Sequence, residues 1–173
     1  MAADDDAQFA RISQDLADAL VAALPGWVER QVRSRVVASG GTMDDSVAAQ
    51  AAAAGQICAA TVGPALRALL ATDPDEQRTT PLTLVRDAVR YPTEVLVHAG
   101  VTPAVRDEFE QRVLPDDLYG LAPATFADID ENLAEIGLVW GAAKAHVHLA
   151  RRRELDGARE IDRTRDADEG SGT

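Results

Sequence analysis

The stretch that decides the fold is residues 126–150, FADIDENLAEIGLVWGAAKAHVHLA. In it Phe126, Ile129, Leu133, Ile136, Trp140, Ala143, Val147 and Ala150 follow one another in alternating steps of 3 and 4 residues. This is the spacing of one face of an α-helix, on which side chains three and four apart stack. A strand would need every second residue apolar, and no part of the chain supports that alternation. A second stripe, Leu138, Ala142, Ala145 and Leu149, occupies only the later half. At about 100° per residue it lies nearly opposite the first. The earlier half is backed by Asp128, Asp130, Glu131 and Glu135 instead. A helix that is apolar on two sides either lies at the centre of a bundle or sets its spare side against a partner. Leu138, Ala142, Ala145 and Leu149, with the glycines Gly137 and Gly141, are therefore the expected interface, and a homodimer is the expected assembly.

The same period runs outward from this helix. Phe9, Ile12, Leu16, Ala19, Leu20, Ala23 and Leu24 share a face, which predicts a helix over 6–24. Pro25-Gly26 is read as its end, and a second helix is expected over 27–38 on Val28, Val32 and Val36. Thr42 is taken as the cap of a helix reaching Thr72, whose Ala48, Ala52, Ala59 and Gly63 form a small-residue strip and whose Pro64 should kink or split it. Thr80-Pro81 and Thr102-Pro103 both read as helix starts, a capping hydroxyl followed by proline in the first turn. The first of these helices should bend or break near Tyr91, before Pro92, and stop at Gly100, and the second should run to Val113. The expected architecture is all-α: a single domain over 1–153 of five to six helices, kinked at prolines. Its centre is placed on the helices near 43–72 and 124–153, with a mobile charged tail over 154–173.

Composition bounds the rest. The 173 residues suit one domain, and 46% hydrophobic content is enough for a core. One cysteine, Cys58, rules out an internal disulfide framework and a cysteine zinc site. The net charge is −12 with no strongly basic block, so nucleic acid is not the expected partner. Arginines 30, 33 and 151–153 are the positions such binding would need. Sixteen arginines stand against one lysine, Lys144, a bias expected of a GC-rich bacterial genome. The acidic N-terminus has the wrong sign for a secretory leader, and the uncharged run 47–66 is interrupted by Gln50, Gly55, Gln56, Gly63 and Pro64. A cytoplasmic protein with a buried helix is expected there rather than a membrane span.

Catalytic signals are sparse. No P-loop, dinucleotide glycine pattern, GxSxG or HExxH occurs, and no Glu-x-x-His di-iron spacing either. His146 and His148 lie about 200° apart on their helix and cannot share a metal. No metal or cofactor is expected. Cys58, in an alanine-rich segment, reads as a small core residue. Lys144 and His148 are four apart beside Gly137 and Gly141, and Glu94 and His98 are likewise four apart. With the acids and phenol of Asp116, Asp117 and Tyr119, these groups make the alternative reading, a small enzyme or ligand binder, if they converge on one pocket. The primary expectation is a non-enzymatic protein working through protein–protein contact, in a regulatory or scaffold role.

Overall fold

The computed structural model describes the backbone of residues 2–169 and the side chains of residues 4–159. The fold is all-α, with seven helical segments and no strand among the described residues: α1 Ala2–Ala38, α2 Asp45–Ala71, α3 Pro81–Asp87, α4 Arg90–His98, α5 Glu108–Val113, α6 Phe126–Ile129 and α7 Leu133–Glu169. The centre is α1, which packs on α2, α4, α6 and α7. This corrects the expectation that α2 and the last helix form the centre, since α7 reaches the core chiefly through α1 and α6.

The expected break at Pro25-Gly26 is absent. α1 runs through Pro25 as one helix of 37 residues. The reason is tertiary. A Cβ built on Gly55 of α2 would stand 2.8 Å from Pro25 Cα and 2.9 Å from its carbonyl oxygen, so the two backbones touch here. Proline already lacks the N–H of a regular turn. Close packing of α2 against that turn holds it in line. Lower down, Gly63 meets the Val21 side chain in the same way. The strip of α2 that faces inward is Ala51, Gly55, Cys58, Gly63, Leu66 and Leu70. It is rotated slightly from the expected strip, leaving Ala48, Ala52 and Ala59 half-buried at its edge. α2 passes through Pro64 without splitting. It is also the one helix among the described residues long and apolar enough to cross a bilayer.

Local chemistry sets the other boundaries. Asp44, not Thr42, caps α2, its Oδ1 accepting the Val47 N–H at 2.8 Å. Thr80 caps α3 as expected, with Pro81 in the first turn. The predicted break before Pro92 falls at Ala88–Val89, leaving Pro92 in the first turn of α4, where its missing N–H has no intrahelical partner to lose. Gly100, at φ 71°, ends α4, and the Val101 N–H returns to the Leu96 carbonyl. The second threonine-proline start does not launch a helix. Residues 101–106 form no helix because they bond to the loop that follows: Ala104 N–H bonds Leu118 O, and Tyr119 Oη donates to Val101 O at 2.7 Å. α5 begins only after Asp107, within a reciprocal capping box with Glu110.

The expected continuous helix from Phe126 is interrupted at residues 130–132. The Asp128 carboxylate accepts the Ala124 and Thr125 N–H groups, closing α6 as a single turn, and holds itself below the usual carboxylate range by those bonds. Asp130 then accepts the Asn132 N–H in a tight turn. The chain therefore folds back, and the Phe126 ring covers Gly137, where a Cβ would come within 2.2 Å of it. Arg30 of α1 fixes this joint by donating to Ile129 O at 2.5 Å and lying 3.6 Å from Asp130. At its other end α7 continues to Glu169, so the stretch expected as a mobile tail is helical as far as that residue. Residues 170–173 of the expected tail lie outside the described residues.

Candidate functional site

The first stripe of α7 is the buried one. Leu133, Trp140 and Val147 are buried, with Ile136 and Ala143 packed at their edges. The Trp140 indole Nε1–H donates to Ser13 Oγ of α1 at 3.2 Å inside the core, so its one polar atom is satisfied. Lys144 lies over the same ring, 5.3 Å from its centroid.

The second stripe is exposed, and none of its residues belongs to the core cluster. Leu138 is 75% exposed and Leu149 55%, and Ala142, Ala145 and Gly141 stand open beside them. No atom lies within 4 Å of a Cβ built on Gly141. Gly137 does not belong to this surface: it is buried under Phe126 and serves the joint between α6 and α7. Along one flank of the stripe, Val139, Ala142 and His146 form a shallow groove of about 510 Å³ with Phe9 and Ile12 of α1. Isolated apolar side chains at a surface are ordinary, whereas here two leucines and two alanines form a continuous exposed strip along one helix. A second exposed group, Val105, Phe109 and Val113, lies at and just before α5, which has no buried residue.

The residues of the alternative, ligand-binding reading do not converge. His98 bonds the Glu94 carbonyl within its own helix, and Glu94 is exposed. Asp117 is buried and accepts the Leu121 and Ala122 N–H groups, which makes it a turn-former. Tyr119 is buried on Val101, and desolvation raises its phenol. Asp116 is exposed, and the cleft it borders with Asp117 contains neither Lys144, His148 nor His98.

Lys144 and His148 lie together, but against a different partner. Lys144 Nζ donates to Gln77 Oε1 at 2.6 Å, and partial burial lowers its pKa. His148 Nδ1 meets Asp75. Next to them Arg151 is bound by three carboxylates, Asp73 and Asp75 at 2.7 Å and Asp6 at 2.9 Å. Its guanidinium holds Asp73 and Asp75 below the usual carboxylate range. These contacts tie α7 to the α2–α3 loop and the start of α1. Of these groups, Asp6, Asp73 and Arg151 also line a cleft of about 440 Å³ bordered by Gln14 and Arg67. Sequence reading missed this clamp because its partners are 76 to 145 residues away from Arg151. Arg30 and Arg151, two of the cations that phosphate binding would need, are both taken up by intrachain acceptors.

Among the described residues no group of three or more His, Cys, Asp or Glu is placed to hold a metal ion. Cys58 is buried in α2, and desolvation pushes its thiol up to about 12, which suppresses the thiolate a nucleophile needs. No family model matches the chain, and no curated protein or solved structure shows significant similarity to it.

Proposed function

We propose that the protein is a non-enzymatic interaction protein of the cytoplasm, with a regulatory or scaffold role, that works as a homodimer joined through the exposed face of α7. One observation carries the reading: Leu138 and Leu149, at 75% and 55% exposure, line up with the exposed Ala142 and Ala145 on a single helix and belong to no buried cluster of their own chain. Burying such a face contributes roughly 25 cal/mol per Å² of apolar surface. Alanines at its middle permit a short interhelical distance. The scatter of the candidate ligand-binding residues supports the non-catalytic side of the reading: His98 is bonded within its own helix, Tyr119 is bonded to Val101, and Glu94 and Asp116 stand exposed apart from Lys144 and His148.

Light scattering on the purified chain at micromolar concentration tests it. Twice the chain mass is expected for the natural sequence, and the single-chain mass for Leu138→Asp and for Leu149→Asp. Phe109→Asp, on the other exposed group, should remain a dimer. A natural chain that is strictly monomeric contradicts the proposal. A dimer that Phe109→Asp splits and Leu138→Asp does not would move the interface to α5.

A further inference from the structure

The exposed face of α7 is longer than its apolar stripe. Continuing the same spacing by one step in each direction gives Glu135, Leu138, Ala142, Ala145, Leu149 and Arg152, in steps of 3, 4, 3, 4 and 3. Both end residues are exposed. Neither forms an ion pair among the described residues, although Arg151, the immediate neighbour of Arg152, is held by three carboxylates. The row reads the same in both directions for size, charged, leucine, alanine, alanine, leucine, charged. Only the sign of its two ends differs.

From that pattern we infer that the occupant of this face is a second copy of the same chain lying antiparallel, with the two-fold axis passing between positions 143 and 144. The inference rests on the proposed dimer and specifies its orientation and register. In a pair of antiparallel helices with a seven-residue repeat, each layer combines one position of the first kind with one of the second. Here each layer is complementary. Ala142 meets Ala145 of the partner subunit at the closest approach. Leu138 meets Leu149 of the partner subunit on both sides of it. Glu135 meets Arg152 of the partner subunit at both ends, which gives two opposite-charge contacts per dimer.

A parallel pair would set Glu135 against Glu135 and Arg152 against Arg152, so the charges select the antiparallel arrangement and disfavour the parallel one. The paired stretch runs from the first turn of α7 to Arg152, about 26 Å of helix at 1.5 Å per residue. It is isologous, as a two-fold interface must be.

Chains with one introduced surface cysteine distinguish the arrangements. The natural chain is its own control, because Cys58 is buried. Leu138→Cys and Leu149→Cys replace exposed side chains and leave the core intact, which far-ultraviolet circular dichroism checks. Under mild oxidation the two variants mixed together should form a disulfide-linked heterodimer, and either alone should stay largely unlinked. Self-linking of each variant alone, with no mixed product, overturns the antiparallel register but leaves the dimer standing. No linking in any sample, with a single-chain mass, overturns both. Charge reversal gives a second readout: Glu135→Arg or Arg152→Glu alone should weaken association roughly tenfold, and the double reversal should restore it. Equal weakening in the double variant contradicts the predicted ion pairs.

Discussion

Along α7, Leu133, Trp140 and Val147 are buried against the rest of the chain, whereas Leu138 and Leu149, on the far side of the same turns, stand in solvent. Both rows have the same three-and-four spacing, and both contain large apolar side chains. The difference lies in what faces them. Opposite the first row, α1 offers Ser13 to the Trp140 indole and Phe9 beside Val147. Opposite the second row no buried cluster forms, and only Ala142 borders α1, across the groove with Phe9 and Ile12. Periodicity thus establishes that a segment is helical and how many faces it must cover. It does not say whether the cover comes from the same chain.

The largest expected effects fall on the buried side. Trp140→Ala removes a buried ring and leaves the Ser13 hydroxyl without its donor, and should destabilise the fold by about 3–5 kcal/mol. Denaturant unfolding reads this as a shift in midpoint. Near-native stability in that variant would erase the contrast between the two faces. Gly55→Ala acts on the other contact of α1. Its new methyl group meets the Pro25 backbone, which cannot rotate away as a side chain can, and a loss of about 1–3 kcal/mol is expected.

Arg151→Ala should lose about 1 kcal/mol at neutral pH, because its partners are only partly buried and solvent screens them. The sign of its pH dependence follows from Asp73 and Asp75. Their native pKa values are lowered by Arg151, so their contribution is complete above the unfolded carboxylate value of about 3.9 and is lost as pH falls through the lowered native values. The stability gap between the natural chain and Arg151→Ala should therefore close in acid. Urea midpoints at neutral and acid pH measure this. A gap that persists in acid would mean that Arg151 stabilises through packing of its stem.

Much of the fold is legible in the residues. The helical class, the inward stripe of α7, the Thr80-Pro81 start and the Gly100 stop follow from spacing and capping chemistry alone. The departures have local physical causes. Pro25 stays inside α1 because Gly55 lets α2 pack on that turn. Thr102-Pro103 fails as a start because Ala104 and Val101 are recruited by Leu118 and Tyr119. The interruption at 130–132 did leave a signal, Thr125-x-x-Asp128 followed by Asp130-x-Asn132, which the unbroken apolar period concealed. On the candidate surface, the exposed row of α7 was visible as a second stripe. The role of Gly137 was not, since it depends on Phe126 folding back over it. The carboxylates around Arg151 depend on contacts between distant segments, which spacing within one helix does not encode.

Thermal unfolding of the natural chain and of Leu138→Asp, each over a wide range of protein concentration, tests both faces of α7 at once. A homodimer gains stability by mass action, so the Tm of the natural chain should rise with concentration, whereas that of Leu138→Asp should stay constant and meet the natural value at high dilution. A natural Tm that does not depend on concentration would contradict the account. So would a Leu138→Asp chain whose Tm stays well below the natural one even at high dilution, because the outer row would then belong to the fold of the single chain.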